Sequence, residues 1–189
     1  VCVSSGVERL RIIKEREGVR IYNLKMVRSI NLALDLISLI KLLFLFIREK
    51  PDLVHSNTPK ASFLSMMAAW CLRIPIRIYT VTGLRFETEM GLKRSLLKNI
   101  ERLTCYFSTT VIPEGKGVKN TLYNEKITKK TLKVINNGNI NGIDLNYFNP
   151  EGFLKISNQL ERFKKILKIE KKEFVFCFVG RLVRDKGIR

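Results

Sequence analysis

The sequence predicts an α/β protein in which helices cover a parallel β-sheet. Short apolar segments alternate with longer helical ones about every 25 to 30 residues, which is typical of βαβ units with right-handed crossovers. Glycine, asparagine and proline stand between these segments, and 46% of the 189 residues are hydrophobic. That content is typical of a globular protein with a buried core.

The first βαβ unit is predicted within residues 1–24. Residues 1–5 form a short apolar segment, and residues 7–17 combine charge with the apolar spacing of a short helix. Gly18 is suited to end that helix, because glycine adopts the left-handed conformation at a helix C-terminus. Residues 19–24 then alternate in polarity, as a half-buried strand does.

Residues 30–47 form the most hydrophobic segment, and they are long enough to span a bilayer. Asp35 and Lys41 interrupt the apolar run at depths where a charge is costly, and residues 48–51 lead directly into another strand. We therefore favour a buried or interfacial helix over a transmembrane one. The surplus of apolar residues also fits a helix face that lies on a membrane.

The remaining segments continue the alternation. Strands are predicted at 52–55, 76–81, 109–112 and 132–135, and helices at 60–72, 93–107 and 114–123. An Asn- and Gly-rich loop at 136–149, followed by Pro150, is the expected domain boundary. We therefore expect one domain at 1–150, then a linker helix at 153–168 and the first strand and loop of a second domain, truncated, within 151–189. Because the chain starts at Val1 and stops at Arg189, where a helix is expected, we treat it as a piece of a longer protein.

The second domain is expected to open with a buried strand and an anion-binding loop. Six apolar residues at 174–179 are typical of a strand covered on both faces, and Gly180 ends it. Ligands of parallel sheets bind at the carboxyl ends of strands. There Arg181 could fork onto a phosphate and Lys186 could add a point charge, while Gly180 and Gly187 let the backbone approach. Taken alone, the residues equally allow two solvated basic side chains on a surface loop.

The charge balance points to a polyanionic partner. Lys and Arg number 35 against 17 Asp and Glu, which gives a net charge of +18. Nucleic acid, an anionic membrane surface and phosphorylated substrates all fit such a balance. Nucleic acid is less favoured, because no aromatic residues are interleaved with the lysines as a stacking platform and no helix-turn-helix or zinc-finger spacing occurs. Four scattered cysteines and a single histidine speak against a zinc site and for buried free thiols in a reducing cytosol.

Four loops that follow predicted strands resemble, in order and spacing, those of the GT-B glycosyltransferases of family 4. The segments are PDLVHSNTPKAS at 51–62, YTVTGLRFET at 79–88, NGNINGIDLNYFNP at 137–150 and FVGRLVRDKG at 178–187. The resemblance covers nearly the whole chain and points to bacterial enzymes that build capsule, O-antigen or other glycolipid-linked sugars. It implies two Rossmann-like domains, an N-terminal one for the acceptor and a C-terminal one for the nucleotide-sugar donor. Residues up to 149 look like the acceptor domain without its first strand.

The resemblance implies a retaining transfer of a hexosyl or N-acetylhexosaminyl group in cell-surface polysaccharide synthesis. The donor would be a nucleotide-diphosphate sugar, and the acceptor a lipid-linked or growing glycan. The enzyme would be cytoplasmic and peripheral at the inner face of the plasma membrane, on an anionic membrane surface, and would need no metal ion or other cofactor. The alternatives are a non-catalytic basic α/β module that binds nucleic acid and a sugar-nucleotide epimerase of the same fold.

On the donor side, the resemblance assigns Gly180, Arg181, Lys186 and Gly187 to the donor diphosphate. Arg181 and Lys186 would be the catalytic pair, because negative charge grows on the leaving diphosphate in the transition state. The family's paired glutamates, Glu-x7-Glu, would lie beyond Arg189. We therefore expect the 189-residue chain alone to transfer no sugar.

On the acceptor side, six residues of the first domain are candidates: His55, Thr58, Lys60, Thr82, Gly83 and Glu87. His55 ends a strand and could bind an acceptor hydroxyl, although a lone histidine is more often structural. Thr58 and Lys60 fit an anionic acceptor phosphate at a helix start, and equally a plain cap and a surface lysine. Glu87 fits a sugar hydroxyl or a solvated loop. Many relatives carry a histidine where this chain has Thr82, so no histidine role is carried over.

Overall fold

A computed structural model of the chain describes residues 1–27, 30–139, 142–149, 151, 157–170 and 173–180. The chain divides into two compact units, Val1–Ile140 and Asn141–Arg189. The domain limits at 150 and 151 stay predictions. In chain order the elements of the first unit are β1 (Cys2–Ser4), α1 (Val7–Glu17), β2 (Ile21–Asn23), α2 (Leu32–Glu49), β3 (Leu53–Ser56), α3 (Pro59–Cys71), β4 (Ile76–Val81), a 3₁₀ turn (Arg85–Thr88), α4 (Gly91–Phe107), β5 (Thr110–Pro113) and α5 (Lys116–Asn124); the second unit contains α6 (Ser157–Ile166).

The described strands pair in parallel, as the alternation of strands and helices predicts. β1 pairs with β2, and β3, β4 and β5 form a second sheet with β4 in the middle. The register places His55 opposite Ile78, and Ile78 opposite Thr110. Because the strands within each sheet run in one direction, their carboxyl ends, and the loops that follow, lie at the same edge of that sheet. The predicted α/β fold with a parallel sheet is confirmed.

The central helix of the first unit is α3. It is apolar on nearly all sides, and Met66, Ala68 and Ala69 have no exposed surface. A helix of this kind is buried on every face. It packs against β3, β4, α2 and α4 and so holds the sheet to its flanking helices. Each fully buried side chain of the size of Met66 stabilises the fold by roughly 1.5 to 3 kcal/mol relative to its exposed state.

The long apolar segment forms α2, with one buried and one exposed face. The Asn31 side chain caps the helix by accepting a hydrogen bond from the Leu34 amide at 3.0 Å. Ser38, Leu42 and Phe46 are buried. Among the described helices, none is long and apolar enough to cross a membrane. The exposed face carries a row of apolar side chains at helical spacing, here called the α2 stripe: Leu32, Leu36, Ile40, Phe44 and Ile47.

Two of the predicted strands are not formed. At 132–135, the Leu132 amide donates to the Tyr123 hydroxyl at 2.9 Å rather than to a neighbouring strand, although Leu132 is buried in the core. Residues 174–179 form no strand either, and Phe176 is 89% exposed. A lone strand leaves its backbone groups unpaired, and no strand lies beside this segment within the described part of the second unit. The expected buried strand is therefore absent from these residues.

All four cysteines are free thiols. Cys105 is buried, but Cys71 and Cys177 are exposed. The expectation that the thiols are buried is thus wrong for these two. Cys71 is the last residue of α3, where the helix reaches the surface, and Cys177 belongs to the unpaired segment after α6.

Candidate functional site

The loops after β3 and β4 are joined at the carboxyl edge of the sheet. Thr82 Oγ1 donates a hydrogen bond to the backbone carbonyl of Asn57 at 3.0 Å. Gly83 follows with a φ of +152°, a conformation that glycine adopts without steric cost. Two of the predicted acceptor residues, Thr82 and Gly83, therefore lie beside the loop that leads into α3.

Thr58 occupies the N-cap position of α3, and Pro59 follows at the first turn. The Thr58 hydroxyl makes no capping bond, so the side-chain cap considered from the sequence is not formed. Its carbonyl instead accepts from the Ser62 amide at 2.7 Å, and the residue is exposed. The hydroxyl is thus available to a ligand at a helix N-terminus, where the macrodipole favours negative charge.

Lys60 connects α3 with α2. Its ammonium forms an ion pair with Asp35, and each side chain is 18% exposed. The same ammonium donates to the backbone carbonyl of Val27 at 2.7 Å. Lys60 is therefore not a solvated surface lysine. The negative charge of Asp35 reduces the net positive field that Lys60 offers to a phosphate.

The remaining two acceptor candidates form contacts within the first unit. His55 Nε2 lies 2.8 Å from Thr80 Oγ1 on the neighbouring strand, and its side chain is exposed on the face of the sheet. Glu87 Oε1 accepts a hydrogen bond from Thr121 Oγ1 at 3.0 Å, which joins the 3₁₀ turn to α5. Both contacts fit a structural role, and both leave the exposed side chain within reach of a ligand.

The first residues of the Asn- and Gly-rich loop, up to Asn139, pack against the end of β5. Asn139 donates its amide to the carbonyl of Glu114 at 2.5 Å. Gly138 has a φ of +86°, and a Cβ there would lie 2.9 Å from that carbonyl oxygen and 3.1 Å from the Cα of Gly115. Both neighbours are backbone atoms, which cannot rotate away as a side chain can. A glycine is therefore required at 138.

The substitution Gly138→Ala is expected to destabilise the chain by roughly 2 to 3 kcal/mol, through left-handed strain together with the backbone clash. Gly91→Ala is the matched control, because Gly91 also has a positive φ of 58° but open space around its Cβ position. It should cost only the strain, about 1 kcal/mol. Urea unfolding of both variants gives the comparison. Equal losses at the two positions would contradict the close approach.

A cavity of about 140 Å³ lies among α2, α3, the 3₁₀ turn and α4. Its wall is mainly apolar, and Lys60, Asp35, Arg85 and Glu101 are the charged residues that line it. Arg85 is exposed and makes no ion pair with any described residue, whereas Glu101 is only 5% exposed. The apolar lining includes Ile30, Leu32, Phe63, Leu64, Leu97 and Ile100.

Glu101 is the strongly perturbed carboxyl group of the cavity wall. Burial raises its pKa to about 7, although the Tyr79 hydroxyl, which donates to Glu101 Oε1 at 2.7 Å, acts in the opposite direction. The same burial, together with Glu101, raises the pKa of Tyr79 well above its usual value. Burial likewise raises the pKa of the neighbouring Cys105 thiol, which is therefore not a nucleophile at neutral pH.

Sequence reasoning missed Arg85, Glu101 and the pairing of Asp35 with Lys60. In the sequence, Asp35 stands out only as a charge that interrupts an apolar helix. The signal for Glu101 is its position, because residues 97, 101, 104 and 105 lie on one face of α4 and three of them are apolar or small. A carboxyl group on such a face is expected to be buried and to have a hydrogen-bond or charge partner.

On the donor side, the structure describes Gly180 alone of the four predicted residues. Its backbone lies beside the Phe178 ring, which a Cβ at 180 would approach to 3.0 Å. Arg181, Lys186 and Gly187 lie outside the described residues. Their assignment to the donor diphosphate stays a prediction.

Solved structures with the same architecture define the class of the fold. The crystal structure of Anabaena Alr3699/HepE in complex with UDP matches 80% of this chain and 39% of its own, with a TM-score of 0.56 and 18% identity. A putative UDP-N-acetylglucosamine 2-epimerase from Listeria monocytogenes matches 71% of this chain and 36% of its own, with a TM-score of 0.51 and 22% identity. The parallel sheets and these neighbours define a Rossmann-like α/β protein of the GT-B type.

The family follows from the sequence comparison. Residues 2–139 match the model of Glycosyltransferase Family 4, and the chain belongs to that family. The Capsular polysaccharide biosynthesis glycosyltransferase CapM of Staphylococcus aureus is 36% identical over 177 residues, which are 93% of this chain and 45% of that protein. The UDP-Gal:alpha-D-GlcNAc-diphosphoundecaprenol alpha-1,3-galactosyltransferase of Escherichia coli is 32% identical over 165 residues, covering 85% and 40%. The chain thus spans less than half the length of these relatives.

Proposed function

We propose that this chain is part of a retaining transferase that moves a sugar from a nucleotide-diphosphate sugar to a lipid-linked or growing glycan acceptor in cell-surface polysaccharide synthesis. The observation that carries the proposal is the match of residues 2–139 to family 4. One relative, named for capsular polysaccharide biosynthesis, supports the role in cell-surface polysaccharide synthesis. The other, named for transfer to a diphosphoundecaprenol-linked sugar, supports a lipid-linked acceptor. The sugar itself is a hexose or an N-acetylhexosamine.

The acceptor is proposed to bind at the carboxyl edge of β3 and β4. Thr58 offers an unbonded hydroxyl at the start of α3, and the loop at Thr82 and Gly83 lies beside it. Arg85 adds an exposed guanidinium at the nearby 3₁₀ turn. These groups suit the phosphate and the hydroxyls of a sugar diphospholipid, because Arg forks onto phosphate oxygens and hydroxyls exchange hydrogen bonds with sugars.

Arg181 and Lys186 are proposed to neutralise the donor diphosphate. As the bond between the sugar and the phosphate breaks, negative charge grows on the leaving group, and two fixed cations stabilise that charge most in the transition state. The proposal assigns this role to side chains rather than to a metal ion. The isolated 189-residue chain is expected to transfer no sugar, since it spans less than half the length of the relatives that it matches.

The test is a transfer assay with the complete gene product. Radiolabelled UDP-hexoses and UDP-N-acetylhexosamines are offered with a polyprenyl-diphosphate sugar, and the anomeric configuration of the product is read by NMR. Sugar transfer with the donor's configuration retained is the expected result. An inverted product would refute the retaining mechanism. An epimerised sugar nucleotide formed without any acceptor would instead favour the alternative hypothesis of a sugar-nucleotide epimerase.

The α2 stripe is proposed to rest on the cytoplasmic face of an anionic membrane. Its side chains are 43% to 84% exposed, which is unusual for a continuous apolar row on a protein surface. The chain carries a net charge of +18, and each basic residue near an anionic bilayer adds about 1 kcal/mol of attraction. A basic protein with an exposed apolar helix face is suited to bind at the interface between a membrane and water.

Vesicle flotation tests this surface. The 189-residue chain is expected to float with phosphatidylglycerol vesicles at low salt and to bind less at high salt, because salt screens exposed charges. Leu36→Asp together with Phe44→Asp should lower the bound fraction more than roughly tenfold. Ile12→Asp on α1 is the control, since Ile12 is 61% exposed but lies outside the stripe. Equal flotation of both variants would refute the membrane contact of the stripe, and binding that ignores salt would refute the contribution of the basic charge.

A further inference from the structure

The cavity beside the carboxyl edge of β3 and β4 is lined by exposed residues on one side, its rim, and by buried residues on the other, its floor. At the rim, Leu32 is 84% exposed and Ile30 is 46% exposed. At the floor, Leu64, Phe86 and Leu97 are each at most 9% exposed. The exposed lining residues therefore place an opening of this apolar pocket at the N-terminal end of α2.

The size and lining of this pocket fit a short piece of hydrocarbon chain. An apolar protein cavity of roughly 150 Å³ stays dry and takes up a ligand of the size of benzene. One isoprene unit is of similar size. The α2 stripe begins at Leu32, which also lines the pocket, so this residue belongs both to the exposed apolar face of α2 and to the pocket. A chain that leaves the pocket would follow that surface.

The charged residues around the pocket fit an anionic head group at its mouth. Asp35 is neutralised by its ion pair with Lys60, so this pair adds little net charge to the wall. Arg85 is exposed and has no acidic partner among the described residues, which leaves its guanidinium for a phosphate. On the wall, the Glu101 carboxyl accepts the Tyr79 hydroxyl bond, which satisfies its buried oxygen.

We propose that this pocket binds the isoprene unit next to the phosphate of the lipid-linked acceptor, with Arg85 on that phosphate. The inference rests on the proposed function, because that function supplies a prenyl diphosphate acceptor. It adds the site of the lipid, its chemical class and the residues that select it. The pocket volume of about 140 Å³ has room for about one such unit, so the rest of the prenyl chain would lie outside the pocket along the α2 stripe.

Photolabelling of the 189-residue chain tests the pocket directly. The probe is farnesyl diphosphate with a diazirine on the first isoprene unit, and mass spectrometry locates the labelled residues. Labels are expected on α3 and α4 around Leu64 and Ile100. Labels confined to the outer face of α2, or scattered over the surface, would overturn the proposal. This readout needs no variant and no sugar transfer.

Two matched substitutions on α4 test the selection. Ile100→Trp fills the pocket and is expected to weaken binding of the unlabelled probe about tenfold. Leu103→Trp, one turn further along the same helix and 45% exposed, does not line the pocket and should change binding less than about twofold. Circular dichroism melts confirm that both variants fold. If Ile100→Trp unfolds the chain, the labelling pattern of the unsubstituted chain decides.

A phospholipid probe separates the two sources of an apolar chain. Phosphatidylglycerol with a diazirine in one acyl chain is expected to label the α2 stripe and not Ile100. Equal labelling of Ile100 by the phospholipid would overturn the isoprenoid assignment. The transfer assay is independent of these results: transfer with no label in the pocket refutes this inference alone, and pocket labelling without transfer refutes the proposed function alone.

Discussion

Glu101→Gln is expected to make the chain more stable at pH 8 by about 3 kcal/mol while changing little at pH 4. Glutamine keeps the shape of the side chain and can still accept the Tyr79 hydroxyl bond, which is 2.7 Å long in the native chain. It removes only the capacity to ionise. The gain should therefore come from the charge that the native carboxyl must acquire inside the protein.

The direction follows from the raised pKa of Glu101. In the folded chain the pKa is about 7, against 4.5 for the same group in the unfolded chain. Between these values the folded state holds a proton that the unfolded state has lost, so the stability of the native chain falls as the pH rises from 4.5 to 7. Above that window both states are ionised and the loss is complete. Each pKa unit is worth about 1.4 kcal/mol.

Urea unfolding between pH 4 and pH 8, followed by the fluorescence of Trp70, measures this profile. The native chain contains a single tryptophan, which packs against Phe107 with ring centroids 5.2 Å apart, so its emission reports the core around α3. The difference between Glu101→Gln and the native chain is the quantity of interest, because other carboxyl groups contribute equally to both. Parallel profiles would contradict the raised pKa.

Tyr79→Phe is the complementary variant. The Tyr79 hydroxyl lowers the pKa of Glu101 by hydrogen bonding to its charged form. Removing that hydroxyl is expected to raise the pKa further and to extend the pH range over which stability is lost to values above 7. The double variant with Glu101→Gln should lose this extension. A Tyr79→Phe chain with the native pH profile would show that the bond does not act on the carboxylate.

The sequence predicted most of the fold of the first unit because its signals are local. The limits of β4 at 76–81 and of α1 at 7–17 match the prediction, and the other helices begin or end within a few residues of it. Apolar periodicity and flanking glycine and proline set these limits without reference to distant parts of the chain. The parallel pairing within each sheet likewise follows from the alternation of strands and helices.

The two predicted strands that are not formed lack a neighbouring strand to pair with in the described part of the chain, and the local sequence does not reveal whether such a neighbour exists. All the residues at 174–179 are of types found in buried strands. A strand forms, however, only where its backbone pairs with a neighbouring strand. Leu132 is buried as predicted for a core position, but its amide is satisfied by a tyrosine hydroxyl. Periodicity therefore identified apolar residues correctly in the core while it overstated the hydrogen bonding of their backbone.

The candidate site divides in the same way. Motif order identified the loops at Thr82 and Gly83, which the fold joins to the start of α3. The pairing of Lys60 with Asp35 was invisible, because the two residues are 25 positions apart and meet only when α2 packs on α3. Side-chain pairs between elements depend on packing angles, which no single-sequence pattern encodes.

Arg181→Ala in the complete gene product is expected to lower kcat by roughly 10² to 10³, the usual effect of removing one group that stabilises transition-state charge. Lys186→Ala should act in the same direction. KM for the lipid acceptor should stay within about twofold, since both residues are proposed to contact the donor rather than the acceptor. Steady-state transfer rates with saturating donor measure the first effect, and acceptor titrations measure the second.

Arg181→Lys separates the two contributions of the arginine. Lysine keeps the positive charge but loses the planar fork that matches two phosphate oxygens, so a loss of about tenfold, between native and alanine, is expected. Thr58→Ala serves as the opposite control: it should raise KM for the acceptor while leaving the donor dependence of the rate unchanged. If Arg181→Ala instead raised KM for the acceptor at constant kcat, the loop after residue 180 would bind the acceptor. The proposed roles in acceptor binding and donor binding would then have to be exchanged, because the charge at that loop would no longer act on the leaving diphosphate.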